Sequence, residues 1–411
     1  MAVERKVRAY SQYVKTAAVL VFAAVMFWTI SRDPKVPEEI KENTIEAEFR
    51  TIGSPLADNA WNLIDSGDGY VIIGDTAGLG AGGTDMYVIK TDYSGNLLWT
   101  RTFGGPGDDT GVSVIRYGEL FIAAGSRTSS AGDTDAYVVM FDENGDMLWD
   151  RMFGGADFDQ IYCAAAVSDG SIVLAGYTSS FSSGASSNVY LLKIDPMGGI
   201  VWEKNYGGPG WDTAYGITET SSGNLALTGY TDSGPIGQTD MFLLLTDSEG
   251  NSISASYYGG ERRDRGVSLI QTSDGGYLIQ GKTTSFISKG MGWDMMLVKT
   301  DADGNSLWSR VLPASEAENG SSLIEADDGF FAAGTKKCYG FCRPDAYVVK
   351  VDADGNTVHW KSYSGGSSDF INSIIPSRDG NIIAAGTTLS GADKNGDIFI
   401  MKITPKGEML W

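Results

Sequence analysis

A unit of about fifty residues recurs seven times along this chain, and the repeat constrains the fold more than any other feature. Its landmark is a glycine that ends a hydrophobic run, and successive copies of that glycine are 51, 51, 53, 52, 53 and 52 residues apart. The landmark glycines are Gly74, Gly125, Gly176, Gly229, Gly281, Gly334 and Gly386. Repeats of this length, with short apolar runs between turn residues, are typical of β-propeller blades.

Each unit is predicted to fold as four antiparallel strands. In the fifth copy the apolar runs cover residues 267–271, 277–281, 295–299 and 306–310. Asp-Gly pairs between such runs, as at Asp328 and Gly329, favour hairpin turns because the turn needs a residue that tolerates a positive φ. No segment after residue 44 has a 3.6-residue apolar period, so the sequence predicts an all-β, seven-bladed antiparallel β-propeller.

A tryptophan ends the most diagnostic motif, Asp-x-x-Gly-x-x-x-Trp, on the fourth strand of the unit. A buried indole removes roughly 200 Å² from water, worth at most about 5 kcal/mol, so we interpret these residues as packing groups. The tryptophans at this position are Trp99, Trp149, Trp202, Trp308 and Trp411. The sixth copy has His359 there, the one histidine of the chain, which excludes multi-histidine metal sites and histidine triads that use any other position.

This motif resembles the tryptophan-docking repeat of quinoprotein-dehydrogenase-like propellers, in which the Asp-to-Gly gap is one residue longer. With the Tyr-Gly-Gly that follows the tryptophan, the unit is similar to the SBBP-type repeat of prokaryotic β-propeller proteins. The resemblance covers residues 45–411 and implies a secreted or surface propeller. It implies no cofactor here, because the quinoprotein pocket involves adjacent cysteines and eight blades are usual, whereas this chain has seven repeats and no Cys-Cys pair.

The last repeat stops in the middle of its motif at Trp411, and the missing piece occurs near the other end of the chain. Residues 49–58 align with residues 100–109, which follow Trp99 in the first repeat. A strand from the N-terminal side is therefore predicted to complete the last blade. Such closure removes the exposed edge that an open ring would present.

The N-terminal segment differs in composition from the repeats. It divides into a basic stub (1–12), an apolar transmembrane signal anchor (13–30) and a linker (31–44) before the propeller (45–411). A cleaved signal peptide is the alternative, although the apolar core does not end in small residues. Because basic residues stay on the cytoplasmic side, we expect a single-pass membrane protein with the propeller outside the cytoplasm.

Charge and cysteine content agree with an external domain. The chain has a net charge of −21, and residues 1–35 carry six basic and two acidic side chains, which leaves −25 on the remainder. A surface this acidic repels phosphate backbones, so nucleic-acid binding is not expected. Cys338 and Cys342 are predicted to form a disulfide in an oxidising compartment. A metal site is the alternative, but further ligands are missing.

An acidic residue recurs four positions after the Gly-Gly pair, or its equivalent, just before each predicted first strand. If the first strands line a central channel, these carboxylates form a ring that attracts a cation such as calcium. The alternative is that each carboxylate accepts hydrogen bonds from its own turn. The six residues are Asp58, Asp109, Asp159, Asp212, Asp264 and Asp369.

The loops between second and third strands vary most and are expected to emerge on the same face as the acidic residues. Variable loops on a rigid ring are where recognition usually lies. Aromatic residues are expected to gather into a binding face there, although they can equally pack within their own loops. The predicted binding-face residues are Phe181, Trp211, Phe286, Trp293, Tyr339 and Phe341.

Together these features predict a membrane-anchored, non-enzymatic binding or scaffolding module for a protein, a glycan or an envelope component. The first alternative is a carbohydrate-active hydrolase or lyase with two channel carboxylates about 5–10 Å apart. The second is a structural surface-layer or adhesion protein that associates with itself. Quinone-dependent oxidation is a further alternative, but the cysteine pattern disfavours it.

Overall fold

The computed structural model describes residues 44–129, 132–182, 186–286, 292–312, 320–336, 343–390 and 395–411. These residues form seven sheets, one for each repeat, so the predicted all-β, seven-bladed propeller is confirmed. Among them no helix is long and apolar enough to cross a membrane. The predicted stub (1–12), anchor (13–30) and linker up to residue 43 lie outside the described ranges. So do Cys338, Cys342, Tyr339 and Phe341.

Two short strands, β1 (Thr44–Glu46) and β2 (Arg50–Ile52), precede the first blade. The strands of blades 1 to 3 are β3 (Asp58–Asp65), β4 (Gly69–Thr76), β5 (Asp85–Asp92), β6 (Leu97–Phe103), β7 (Asp109–Tyr117), β8 (Leu120–Thr128), β9 (Thr134–Phe141), β10 (Met147–Phe153), β11 (Asp159–Ala166), β12 (Ile172–Thr178), β13 (Asn188–Ile194) and β14 (Ile200–Tyr206). Those of blades 4 and 5 are β15 (Asp212–Glu219), β16 (Leu225–Thr231), β17 (Asp240–Thr246), β18 (Ser252–Tyr258), β19 (Asp264–Gln271), β20 (Tyr277–Thr283), β21 (Asp294–Thr300) and β22 (Ser306–Val311). Those of blades 6 and 7 are β23 (Gly320–Ala326), β24 (Gly329–Lys336), β25 (Asp345–Val351), β26 (Thr357–Ser364), β27 (Asp369–Pro376), β28 (Ile382–Thr388) and β29 (Asp397–Ile403).

The blades are arranged in a closed ring with their first strands innermost. Each first strand contacts the first strand of the next blade, and β27 of blade 7 contacts β3 of blade 1. The hydrophobic core lies between neighbouring blades. At the closing junction, Ile398 and Ile400 of blade 7 pack with Leu63 and Ile72 of blade 1, and all four are buried. The ring is therefore held by apolar contacts that repeat from blade to blade.

The outer strand of blade 7 is built from both ends of the chain. From the N-terminal side, β2 pairs antiparallel with β29, with Arg50 opposite Ile400. From the C-terminal side, the Lys402 N–H donates to the Trp411 carbonyl oxygen at 2.8 Å. Blade 1 has the same register in one continuous strand, where Arg101 lies opposite Val88. The predicted terminal closure is therefore present.

The motif tryptophans join each blade to the next. The Trp99 indole Nε1 donates to the Glu143 carbonyl oxygen at 3.0 Å, across the junction between blades 1 and 2. His359 makes the corresponding contact in blade 6, where its Nε2 lies 3.0 Å from the Pro405 carbonyl oxygen. The Trp411 ring packs on Gly95 of blade 1 so closely that a Cβ at Gly95 would lie 2.7 Å from it.

One strand was not anticipated from the sequence. β1 runs parallel to β26 and adds a fifth strand to blade 6, with Ile45 opposite Tyr363. A three-residue strand has too short an apolar pattern to be recognised, and a parallel partner distant in sequence leaves no hairpin turn to mark it. This strand covers the outer edge of blade 6.

Candidate functional site

The central channel contains a cavity with a volume of about 760 Å³. Its wall is formed by the first strands. On each first strand, the side chain three residues after the repeated acidic residue, or its equivalent, faces the cavity, because side chains alternate along a strand. In blades 1 to 7 this position is occupied by Trp61, Val112, Tyr162, Tyr215, Val267, Ser322 and Asn372. The channel wall is therefore aromatic in some blades and small or polar in others.

The two mouths of the channel differ. At one of them the first strands begin and the second strands end, as shown by the pairing of Asp159 with Thr178 and of Asp264 with Thr283. The loops between second and third strands emerge at this mouth, as expected from the sequence. We call this side of the propeller the loop face.

An aromatic arc extends around the loop-face mouth across blades 3 to 5; it consists of Tyr162, Tyr215, Tyr230, Trp293 and the Arg265 side chain between the last two. The Tyr162 and Tyr215 rings stack with centroids 4.7 Å apart. Tyr215 and Tyr230 follow at 6.0 Å. The Arg265 guanidinium carbon lies 4.2 Å from the Tyr230 ring centroid and 5.5 Å from that of Trp293. The arc presents flat rings and one permanent positive charge to the mouth.

Blade 1 places a carboxylate on the other side of the same cavity. Asp75 is buried and accepts hydrogen bonds from Asn59 Nδ2 at 2.9 Å and from the Trp61 indole Nε1. Burial raises the pKa of Asp75 above its usual value. Among the described residues that line the cavity, Asp75 is the one carboxylate. The described lining of this cavity therefore does not contain the pair of carboxylates that a glycoside hydrolase needs.

The six predicted ring residues lie at the starts of the first strands, where each is buried. Each carboxylate accepts the backbone N–H four residues earlier; for Asp159 and Asp212 the donors are Gly155 and Gly208, both at 2.8 Å. The same bond is made by Asp58, Asp109, Asp264 and Asp369. No group of three or more His, Cys, Asp or Glu suited to a metal occurs among the described residues. This arrangement favours the bracing of turns over a cation ring, and calcium binding stays a prediction.

The same contacts explain the aromatic-Gly-Gly signature, whose role the sequence did not reveal. Gly207 has a φ of 152°. A Cβ at that glycine would lie 2.2 Å from the Asp212 carboxylate oxygen and 3.0 Å from the Asn188 side-chain oxygen. The first glycine therefore makes room for a buried carboxylate that ties two blades together.

The buried carboxyl groups predict that the propeller is most stable in mild acid. Burial, reinforced by Asp133 and Asp159, raises the pKa of Asp135 to about 6. A carboxyl whose pKa is raised by folding adds stability as the pH falls from about 6 towards its usual value of 3.8. Folding lowers the pKa of Asp274, a turn carboxyl, to about 2. Such groups lose their contribution to stability as the pH falls below their usual value of 3.8. We expect the Tm in scanning calorimetry to be highest between about pH 4 and 6.

The variant Asp135→Asn tests the cause of this pH dependence. An amide cannot ionise, so the variant is expected to raise the Tm at pH 7 by about 1–2 °C and to raise it progressively less as the pH falls towards 3.8. Asp108→Asn, at an exposed loop residue, is the matched control. A Tm that rises steadily from pH 5 to pH 8 would contradict the prediction.

Three of the predicted binding-face aromatics are exposed on the loop face. Phe181, Trp211 and Phe286 are 39%, 52% and 47% exposed. Trp293 is half-buried within the aromatic arc. Apolar residues that were not singled out from the sequence accompany them, namely Leu56, Leu79, Phe158 and Ile236. The loop face thus combines exposed apolar groups with the channel mouth.

Comparisons with known proteins give the fold. No protein-family model and no curated protein matches the sequence. Among solved structures, Sqt1 from Chaetomium thermophilum aligns with a TM-score of 0.50 at 12% identity over 88% of this chain and 85% of that one. The Pan2 WD40 domain of Neurospora crassa gives 0.52 at 10% identity over 84% and 89%. The periplasmic gluconolactonase PpgL of Pseudomonas aeruginosa gives 0.51 at 13% identity over 87% and 95%. At these identities the likeness establishes the fold alone, and the chain is a β-propeller.

Proposed function

We propose that this protein is a non-enzymatic binding module that recognises a glycan at the loop-face mouth of its channel. The observation that carries the proposal is the part of the aromatic arc, Tyr162, Tyr215 and Arg265, that lines a cavity of about 760 Å³. This volume lies within the range of roughly 300–1,000 Å³ that small-molecule sites occupy. A narrow cavity lined by flat rings suits a saccharide chain better than the surface of a folded protein.

The composition of the wall favours binding over catalysis. Glycoside hydrolysis by the usual route needs two carboxylates, and Asp75 is the one that lines the described part of the cavity. The one histidine of the chain, His359, contacts the Pro405 carbonyl oxygen in an outer strand. A binding site needs no such pair, because rings and hydrogen-bonding groups suffice to hold a ligand.

The proposal also places the propeller outside the cytoplasm, held to the membrane by residues 13–30. Its support is the basic stub before an apolar segment and the acidic composition of the remainder. By the resemblance of its repeat, the chain is assigned to the SBBP-type propeller proteins. Self-association as a surface-layer or adhesion protein is the rival role, and a purified ectodomain that sediments as a monomer would count against it.

A glycan array probed with the purified full chain tests the proposal. We expect binding that Tyr215→Leu weakens at least tenfold, because the variant keeps apolar volume but removes a stacking ring. Leu98→Ala is the matched control, since Leu98 is 53% exposed on an outer strand away from the channel. No bound glycan should be shortened on incubation. Absence of any binding that depends on Tyr215 would contradict the proposal, and cleavage of the glycan would favour the hydrolase or lyase.

A further inference from the structure

Among the half-buried arginines that the structure describes, Arg265 is the one without an ion pair, whereas Arg101 and Arg127 each contact a carboxylate. The Arg265 side chain is half-buried on the channel wall, and its Nε is buried with no hydrogen-bond partner among the described residues. Arg127, which is also mostly buried, instead contacts Asp150 at 3.5 Å and Asp109 at 3.8 Å. An enclosed cation without an anion is unfavourable, so the mouth is suited to receive one.

A second cation adds to the positive charge at this point. Lys282 Nζ lies 5.1 Å from the centroid of the same Trp293 ring that Arg265 contacts. The chain as a whole carries a net charge of −21, so two adjacent cations on the channel wall run against its general composition. Arg265 thus provides a positive charge for a negatively charged group inside an acidic protein.

The surroundings of these cations indicate the rest of the ligand. Near Arg265, the Tyr162 and Tyr215 rings stack on each other and line the cavity, to which they contribute apolar ring surface and hydroxyl groups. Across the cavity, Asp75 keeps acceptor capacity beyond the two hydrogen bonds it receives, since a carboxylate has about four lone-pair sites. A sugar ring satisfies both, because its C–H groups pack against the apolar ring surface that lines the cavity and its hydroxyls donate to a carboxylate.

We infer, on the basis of the proposed function, that the channel mouth binds an oligosaccharide carrying a single sugar carboxylate. The carboxylate pairs with Arg265, a sugar ring packs on Tyr162 and Tyr215, and a hydroxyl donates to Asp75. A guanidinium suits this role because its fork of N–H donors matches a carboxylate. Polyanions are disfavoured, since the net charge of −21 on the chain repels them.

Isothermal titration of the full chain with cellobiouronic acid and with cellobiose tests this inference, because the two disaccharides differ only in the carboxylate. The wild-type protein is expected to bind the acid at least tenfold more tightly. Arg265→Gln is expected to abolish the preference while retaining weak binding of both sugars, and Arg265→Lys to keep part of it. Asp75→Asn is expected to weaken both sugars alike. Arg116→Gln, at a partly exposed arginine paired with Glu119, is the control.

Equal affinity of the wild-type protein for both disaccharides would overturn the inference, as would an unchanged preference in Arg265→Gln. The proposed function is judged separately by the Tyr215-dependent signal on the glycan array. If that signal persists with neutral glycans alone, only the ligand assignment fails. If no glycan binds, both fail. Circular dichroism melting of each variant shows whether it is folded, and Arg265→Lys provides the test if Arg265→Gln does not fold.

Discussion

A chain that begins at Gly53 is expected to unfold at much lower urea concentration than a chain that begins at Thr44. The shorter chain lacks β2, so β29 loses its outer antiparallel partner and blade 7 presents an open edge. It also loses Phe49, whose ring stacks on the buried Phe399 ring with centroids 4.3 Å apart. The loss of an aromatic contact and of strand hydrogen bonds predicts a destabilisation of at least about 4 kcal/mol.

The measurement is equilibrium urea unfolding followed by tryptophan fluorescence. A chain that begins at Phe49 is the matched control, because it lacks β1 but retains β2. That chain is expected to lose only about 1 kcal/mol, since β1 makes a three-residue parallel pairing on the outside of blade 6. Equal unfolding midpoints for the chains beginning at Phe49 and Gly53 would show that β2 does not close the ring.

Replacing Trp411 by alanine is expected to destabilise the protein by about 3–5 kcal/mol, the usual loss for a large aromatic residue at a packed site. The Trp411 ring packs on Gly95 of blade 1 and beneath the Arg50 guanidinium, whose carbon is 4.8 Å from the ring centroid. The Trp411 ring therefore connects the C-terminal segment with β2 and with the blade 1 turn that contains Gly95. Differential scanning calorimetry and urea unfolding both measure the loss.

Ser254→Ala is the matched control for this variant, because Ser254 holds the tryptophan position in blade 4. The change removes no ring, so we expect a loss within about 0.5 kcal/mol. Trp308→Ala, at the same position in blade 5, is expected to resemble Trp411→Ala, since its indole donates to the Ala353 carbonyl oxygen at 3.1 Å. A loss below 1 kcal/mol for Trp411→Ala would contradict a closing role for this residue.

The closed ring could be predicted from the sequence because each blade repeats the same turns and strand pattern. The alignment of residues 49–58 with 100–109 placed Arg50 at the position of Arg101, and the two side chains lie over Trp411 and Trp99 in the same way. Local turn chemistry and the period of the repeat carry this information. β1 was not predicted because three residues are too few to show an apolar period.

The channel mouth was harder to predict, because its character comes from differences between blades. Tyr162 and Tyr215 occupy a position at which Val112 and Ser322 stand in other blades, and that contrast was visible in the repeat alignment. The contact between Arg265 and Tyr230 joins two blades, and no spacing within one repeat reports it. Residues that differ from their equivalents in the other repeats are thus the sequence signal for this site.

The six acidic residues of the predicted cation ring show a different limit of prediction from sequence. Their regular spacing was compatible with a cation ring and with the bracing of turns, because the same carboxylate can accept hydrogen bonds or bind an ion. Burial favours the bracing of turns here, since Asp159 and Asp264 are fully buried and accept N–H groups from their own turns. Burial at this depth depends on the neighbouring blade, which the alternating pattern of one strand does not report.

A double-mutant cycle between Arg50 and Trp411 tests the shared terminal strand most directly. Because Arg50 lies over the Trp411 ring, Arg50→Ala and Trp411→Ala are expected to be non-additive, with a coupling free energy of unfolding of about 0.5–1 kcal/mol. The Arg101 and Trp99 pair of blade 1, which lies within one strand, should give the same value. Strict additivity for Arg50 and Trp411, with coupling retained for Arg101 and Trp99, would show that the two ends of the chain do not meet in one strand.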